Sequence, residues 1–559
     1  MDDDGSNRRF IDVSAYRFSC FGQRGLRQIL VLQQEVKPCR SGRARHRDNK
    51  QRKQSMFTRR TTLFGLAGTA LGLAGCGGEV NGQIEATRVS DRNLLQVPVL
   101  YAGQKNGAIT EYDLTLQSGR TAFFDNQFTP TIGINQSYLG PTLDMVNGAD
   151  VRMSVTNTLE EDATLHWHGF HVPARYDGTP HQRIAPGETW TAQFQVRQKP
   201  SLFWYHSHAH RRAGPQVYHG LAGPIIVRDD EGRTDSLPHE YGIDDVPLIV
   251  QDRAFGSDGR LIYARSMHDI MMGMRGDTLL VNGVIDPAFE CQTELLRLRL
   301  LNGSNARIYD FEFETQQSFL MTGSDGGHLE APVRMSRIRL SPGERAEIMV
   351  DASHGVPLQL LARSLSGEMG MMDGGMMGGR WGRGNSRRSS EGSVFKVLLI
   401  VPNEQLRPST ATPAKLTTLP AIDPSKAIKT RRFVLEMGMG MGMRGRGGFT
   451  INGKSMDMAR IDERVKLDTT EIWEVENASM MAHPFHVHDV QFRILDRNGR
   501  PPPEHEMGLK DTVLLSSRER VRLLLSFKDY ADSDTPYMYH CHILEHEDAG
   551  MMGQFVIEA

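Results

Sequence analysis

The triplet His540-Cys541-His542 near the C-terminal end places the strongest constraint on how this chain folds. Side chains alternate between the two faces of a β-strand, so Cys541 would face one way and both histidines the other. His546 and Met551 follow closely. A thiolate, imidazoles and a thioether are the ligands of electron-transferring copper. One strand is therefore predicted to join two metal sites.

The remaining ligands come from a repeated pattern of paired histidines. Four His-x-His units occur in the chain, namely His166 and His168, His206 and His208, His486 and His488, and His540 and His542. A spacing of two on a strand puts both rings on one face, so eight imidazoles can converge on one cluster. His483 is left to complete the thiolate site. A single unit usually means two solvated residues, but four units with the cysteine predict metal binding. In the second unit, the pair His208 and His210 is an alternative to the pair His206 and His208.

Short runs of branched and apolar residues, such as residues 151–155 and 296–300, alternate with glycine and proline turns. This pattern predicts an all-β protein built from Greek-key sandwiches or barrels. Without residues 1–75, the 559-residue chain has 484 residues, enough for three domains. Polar linkers are expected near residues 229–245 and 402–427.

With these motifs, the chain resembles the three-domain bacterial multicopper oxidases, and most closely the periplasmic copper-efflux cuprous oxidases. The resemblance also covers other stretches between residues 90 and 559, including residues 242–247, 276–280, 324–327 and 544–548. It implies three cupredoxin-like Greek-key β-barrel domains at residues 85–230, 240–402 and 428–559.

The resemblance also implies four copper ions. It assigns His483, Cys541, His546 and the axial Met551 to a type 1 copper, and His166 and His486 to a type 2 copper. It assigns a type 3 pair to His168, His206, His208, His488, His540 and His542. Dioxygen is the expected acceptor, and its reduction to water needs four electrons. Cys541 would pass electrons from the type 1 site to the cluster, and Asp177 and Glu547 match the acids that supply protons.

The clustering of methionines in the sequence indicates which reductant the protein uses. Thirteen of the 28 lie in three clusters, at residues 267–274, 369–377 and 437–443. Thioethers prefer cuprous copper, so exposed methionine-glycine loops predict Cu(I) capture. By resemblance, Met437 and Met481 match the methionines of a substrate-copper site. Its acidic positions fall on Met441 and Ser479, so Glu436, Asp373 or an extra thioether, such as that of Met441, is expected to replace the missing acids. A further departure is Asp489, where the family usually has glycine.

Three functions are consistent with this sequence. The first is oxidation of Cu(I) by dioxygen in copper tolerance, and the second is laccase-like oxidation of phenols. The third is a non-catalytic cupredoxin protein that sequesters copper, although storage alone needs no bridging cysteine. A monomer is expected.

The N-terminal region predicts export. Arg59 and Arg60 precede an apolar run over residues 63–75, which is typical of a twin-arginine signal. Residues 56–76 are therefore interpreted as a signal, and residues 1–55 as a non-native or disordered extension. Cys76 ends a lipoprotein-like box, which predicts a periplasmic or cell-envelope protein with a possible lipid anchor to the membrane. Ordinary signal cleavage is the alternative.

The net charge of the chain after residue 75 indicates which kinds of substrate and partner it can bind. Residues 1–75 hold 15 of the 65 basic and 6 of the 67 acidic residues, so the remainder has 50 against 61, a net charge of about −11. An acidic body favours cationic substrates and argues against nucleic acid. Residues 448–455 fit a phosphate-loop pattern, but Asn452-Gly453 predicts a hairpin turn there instead.

Overall fold

The computed structural model describes residues 93–229, 237–365, 392–438 and 448–559. The predicted extension and signal, with Cys76, lie outside these residues. So do Met441 and the methionine cluster at residues 369–377.

The first segment of the chain is built almost entirely from strands. Its elements are β1 (Leu100–Tyr101), β2 (Gln104–Asn106), β3 (Ile109–Phe124), β4 (Gln127–Ile134), β5 (Thr142–Val146), β6 (Asp150–Asn157), β7 (His166–His168), β8 (Thr189–Gln195), β9 (Ser201–His206), α1 (Ala213–His219) and β10 (Ala222–Arg228). They form two sheets, in the orders β1-β5-β10-β9-β7 and β2-β3-β6-β8, with β4 beside β3. Side chains from both sheets share one core.

The middle segment repeats this plan. Its elements are β11 (Asp245–Arg253), α2 (Met267–Met272), β12 (Thr278–Val281), β13 (Ala288–Thr293), β14 (Leu295–Asn302), β15 (Tyr309–Phe313), β16 (Phe319–Ser324), β17 (Gly327–Met335), β18 (Arg337–Leu340), β19 (Arg345–Asp351), β20 (Leu358–Ser364) and β21 (Val394–Arg407). The sheets run β12-β11-β14-β19-β16-β17 and β13-β21-β20-β15-β18 around a second core.

The third segment carries the cysteine. Its elements are β22 (Ala427–Met437), β23 (Phe449–Ile451), β24 (Glu463–Lys466), β25 (Thr469–Asn477), β26 (His483–Val487), β27 (Arg493–Arg497), β28 (Thr512–Leu515), β29 (Arg520–Phe527), β30 (Asp532–Cys541), α3 (Leu544–Asp548) and β31 (Met552–Glu558). The sheets run β23-β22-β25-β29-β27 and β24-β31-β30-β26-β28 around a third core that includes Cys541.

The predicted all-β architecture is confirmed, and its cause is the period-two pattern of the sequence. In β6, for example, Val151, Met153 and Val155 are buried while the residues between them are partly exposed. The predicted strand and hairpin at residues 449–453 are also observed, with Asn452 and Gly453 both at positive φ.

The residue limits of the domains stay predictions, and two details differ from them. Strand β21 runs to Arg407, beyond the predicted limit at residue 402. Leu95, assigned to the first domain, packs in the core of the middle segment. Within the described ranges, no helix has the length and apolar character needed to cross a membrane.

Candidate metal centre

Three predicted ligands of the thiolate site lie together in the third segment. Nδ1 of His483 is 3.4 Å from Sγ of Cys541, and Nδ1 of His546 is 3.6 Å from the same sulfur. The two Nδ1 atoms are 3.3 Å apart. Antiparallel pairing of β26 with β30 brings His483 near Cys541, and helix α3 supplies His546. All three residues are fully buried.

The fourth predicted ligand is held beside them by the backbone. The N–H of Cys541 donates to the carbonyl oxygen of Met551, and the N–H of Met551 donates to that of His546. Met551 is fully buried in the same core. The N–H of Ile543 points at the sulfur, 3.5 Å away, and so favours a thiolate.

Burial sets the protonation of this site in the absence of a cation. Desolvation lowers the pKa of His546 to about 3 and lowers the pKa of His483 well below its usual value. It also raises the pKa of the Cys541 thiol. Neutral imidazoles present lone pairs, and a bound cation would favour the thiolate. The donor set therefore fits copper.

The eight paired histidines converge between the first and third segments, as predicted. Strand β7 pairs with β9 and β26 with β30, so His166 lies opposite His206 and His486 opposite His540. The side chains form three groups, each with ligand atoms within 4.8 Å of one another: His168, His206 and His542; His166, His168 and His486, which shares His168 with the first; and His208, His488 and His540.

One part of the strand argument was wrong. Only the pair His166 and His168 lies wholly within a strand, because β9, β26 and β30 end at His206, Val487 and Cys541. The second histidine of each other pair lies just beyond the strand end, and the turn directs it to the cluster. In the second unit, His208 reaches 3.3 Å from His540, whereas His210 is exposed.

Several imidazole nitrogens are buried without a hydrogen-bond partner, which tests whether a metal fits. Nδ1 of His166 lies 2.8 Å from the carbonyl oxygen of Asp177, and Nδ1 of His486 lies 2.8 Å from that of Asp511. Each ring therefore donates from Nδ1 and leaves Nε2 as a lone pair, and both Nε2 atoms are unpartnered. Neither nitrogen of His542 has a partner. Such orphaned groups are costly, and a cation would satisfy them.

Seven of these histidines have a lowered pKa. The cause is desolvation, reinforced for most of them by neighbouring imidazoles, and the residues are His168, His206, His208, His486, His488, His540 and His542. Neutral rings are the form that binds a metal. The assignment of each ring to a type 2 or type 3 copper stays a prediction.

The two predicted acids lie against the cluster and are not surface carboxylates. Oδ2 of Asp177 is 2.7 Å from Nδ1 of His488. Glu547 lies 3.3 Å from Nδ1 of both His208 and His540. Burial raises the pKa of Asp177 and of Glu547.

The predicted substrate-copper residues are only partly described. Met437 and Met481 pack at the core that contains Cys541. The methionines at residues 267–272 form helix α2 rather than the expected loop, because Ser266 and Asp269 cap its N-terminus reciprocally. Met274 is buried rather than exposed.

Sequence reasoning missed two residues beside the cluster. Asp511 and Arg345 are fully buried there. They belong to no ligand motif, and only long-range pairing of strands brings them to the site.

Comparisons with known proteins agree with this geometry. Two family models described as multicopper oxidase match residues 115–232 and 430–559. Multicopper oxidase mco of Staphylococcus haemolyticus is 36% identical over 81% of this chain and 89% of that protein. Cell division protein FtsP of Proteus mirabilis is 32% identical over 90% of this chain and 99% of that protein.

A solved structure shares the fold. The laccase-like multi-copper oxidase CueO of Ochrobactrum sp. has a TM-score of 0.73 at 35% identity, covering 83% of this chain and all of that one. That protein is described as having oxidase activity towards lignin model compounds and lignosulfonate. The likeness confirms the predicted cupredoxin-like fold class. With its thiolate site and histidine cluster in place, the chain belongs to the multicopper oxidase family.

Proposed function

We propose that this protein oxidises Cu(I) to Cu(II) and reduces dioxygen to water, with four Cu(I) ions and four protons consumed per dioxygen. The protein would hold four resident copper ions at the sites described above. By its N-terminal signal it would act in the cell envelope, where such a reaction lowers the level of Cu(I).

The observation that carries this proposal is the closure of the thiolate site. Nε2 of His483 lies 2.8 Å from the hydroxyl of Ser479, and Nε2 of His546 lies 3.1 Å from the carbonyl oxygen of Met271. Phe449 stacks on the His546 ring with a centroid distance of 4.5 Å. The outer edges of both imidazoles are thus covered, so a large organic reductant has no direct access to them.

The space beside the site suits an ion. A cavity of about 30 Å³ is lined by Met272, Met481 and Ile543 among others. A space of this volume can hold a water molecule or a metal ion. Met267, in the same helix as Met272, and Met480, next to Met481, are 65% and 50% exposed, so thioethers lie both at the surface and at the cavity. Soft thioethers favour Cu(I).

Different residues of the chain would transfer the electrons and the protons of this reaction. Bound copper ions supply reversible one-electron oxidation and so let the enzyme collect four electrons. Cys541 is bonded through the backbone to His540 and His542, which gives a short covalent path from the thiolate to the cluster. The carboxyls of Asp177 and Glu547 lie beside the cluster and would carry protons to it, and burial raises the pKa of each, which favours the protonated form.

Laccase-like phenol oxidation is the second candidate, and specific observations favour it. Ser479 places a neutral hydroxyl where the resemblance has an acid. The Ochrobactrum relative is described as acting on lignin compounds.

Rates with Cu(I) and with a phenol separate the two candidates. Met272→Leu and Met481→Leu remove thioethers with little change of volume, and Met153→Leu is the control in the core of the first segment. We expect the first two to raise KM for Cu(I) about tenfold, as loss of a metal-ligand contact does, and to leave phenol oxidation unchanged. High phenol turnover without added copper, together with negligible Cu(I) turnover, would contradict the proposal.

A further inference from the structure

The middle segment contains no predicted ligand of the four resident coppers, yet one of its turns lies against the histidine cluster. Gly343 has a φ of +86°, and a Cβ atom there would lie 3.0 Å from the imidazole of His542. The turn is closed by the N–H of Glu344, which donates to the carbonyl oxygen of Ser341, and it is tied to the end of β14 by the N–H of Gly343, which donates to the carbonyl oxygen of Asn302. This turn forms part of the wall of the cluster.

Arg345 follows this turn and is fully buried. Nη1 and Nη2 each donate to a different carboxylate oxygen of Asp511, at 2.7 Å. The other three N–H groups reach the carbonyl oxygens of Leu202, Gly343 and Asp325. All five donors of the guanidinium are therefore satisfied, and the bidentate pair fixes the carboxylate in one orientation.

Asp511 in turn contacts two rings of the cluster. Its Oδ1 lies 3.0 Å from Nε2 of His168, and its carbonyl oxygen lies 2.8 Å from Nδ1 of His486. Both oxygens accept only, so His168 donates from Nε2 and His486 from Nδ1. The two rings stack 3.8 Å apart yet present opposite nitrogens to the cluster. One residue thus sets both tautomers.

A second ion pair holds the same stretch of the third segment. Nζ of Lys510 lies 2.8 Å from Oδ2 of Asp325 and 3.1 Å from Oε1 of Glu344. The middle segment therefore pairs Lys510 with Asp325 and Glu344, and it pairs Asp511 with Arg345. Buried charges are costly unless paired, so the dipeptide has little freedom to move.

We propose that Arg345 is a positioning residue for the trinuclear copper site. It holds Asp511 so that Nδ1 of His168 and Nε2 of His486 face the metal. The middle segment, although it supplies no ligand, thereby sets the geometry of a site shared by the first and third segments. The proposal depends on copper binding by these histidines and not on Cu(I) as the reductant.

The test compares Arg345→Lys with a matched control in the copper-loaded enzyme. Lysine keeps the charge but cannot bridge both carboxylate oxygens. Arg299→Lys is the control, because Arg299 is equally buried and forms a bidentate pair with Asp245 inside the middle segment. Copper content, the type 2 electron paramagnetic resonance signal, blue absorption and thermal unfolding are measured for both variants.

We expect Arg345→Lys to bind the copper ions of the histidine cluster about 10–100-fold more weakly in competition with a chelator, as loss of such supporting contacts does elsewhere. The type 2 signal should change while the blue absorption stays. Arg299→Lys should lose stability without a change in the type 2 signal. The proposal fails if Arg345→Lys keeps its copper with an unchanged signal, or if Arg299→Lys shows the same copper loss.

If Arg345→Lys does not fold, Asp511→Asn provides a second test of the proposal. Asparagine keeps the size of the side chain but presents one acceptor in place of two, so the pair with Arg345 is broken. An altered type 2 signal with normal blue absorption supports the proposal, and a wild-type spectrum overturns it.

Discussion

The hydroxyl oxygen of Ser479 lies 2.8 Å from Nε2 of His483, on the opposite side of the ring from Cys541. With Nδ1 turned to the sulfur, Nε2 carries the proton and donates to Ser479. The hydroxyl in turn donates to Oδ1 of Asn477, 2.8 Å away. The outer edge of this imidazole is thus held by a neutral group in a position where the resemblance places an acid.

Ser479→Asp should therefore strengthen the reaction with Cu(I). A carboxylate beside Met481 adds a charged ligand for a cation, and we expect KM for Cu(I) to fall about tenfold. Steady-state oxygen consumption measures this change. Ser517→Ala is the control, because Ser517 bonds only the backbone oxygen of Ser479. An unchanged or higher KM would show that no substrate copper binds at this position.

Cys541→Ser tests the electron path. Serine fills the same fully buried position but gives a weak oxygen ligand in place of the thiolate. We expect the blue absorption and the oxidase activity to be lost together, while most of the histidine-bound copper remains. Absorption spectra, oxygen consumption and metal content check this. Surviving activity would contradict the relay through this residue.

Much of the candidate site could be predicted from sequence because its ligands lie in short motifs on or near strands. The triplet at residues 540–542 identified both sites, since alternation in a strand is a local property. Arg345 and Asp511 could not be found this way. They are 166 positions apart, and only the packing of the middle segment against the third brings them together.

The contacts that cover the imidazoles of the thiolate site could not be predicted from the sequence either. The contact between His546 and Met271 uses a backbone oxygen, which has no residue-specific signal. The methionines at residues 267–272 predicted a loop because glycine follows them. The reciprocal cap by Ser266 and Asp269 stabilises a helical turn instead.

Ser266→Ala tests helix α2 as a cover over His546. Loss of the N-cap hydrogen bond should cost the helix about 1 kcal/mol. We expect a more mobile helix to expose the imidazole, so that kcat/KM rises for a phenol and falls for Cu(I). Asp423→Ala removes the comparable cap of the exposed turn Pro424–Lys426 and is the control. Equal effects of both variants would contradict a covering role.

Glu547→Gln tests proton supply. The carboxyl lies 3.3 Å from Nδ1 of both His208 and His540, and burial raises its pKa. Glutamine keeps the contacts but cannot carry a proton between them. We expect kcat to fall about 10²–10⁴-fold, the usual loss for a general acid, with copper content unchanged. A variant with near-normal kcat would leave Asp177 as the proton carrier.

His171 predicts how stability depends on pH. Its Nδ1 lies 2.8 Å from Oδ1 of Asp489, and its Nε2 lies 3.0 Å from Oδ2 of Asp529. Burial alone would lower the pKa of His171, but the two carboxylates raise it to about 9. The folded protein therefore holds this proton more tightly than the unfolded chain, whose histidines titrate near pH 6.5.

Because the pKa is raised on folding, the contribution of His171 is complete below about pH 6.5 and is lost as the pH rises through about 9. The shift corresponds to about 3 kcal/mol in the free energy of unfolding. His171→Gln should therefore destabilise the protein most at pH 6 and least above pH 9, as measured by denaturant titration. The exposed His354 gives the control variant His354→Gln, which is measured over the same pH range. If His171→Gln lowers the free energy of unfolding by the same amount at every pH, the charge of the ring does not contribute and only its packing stabilises the protein.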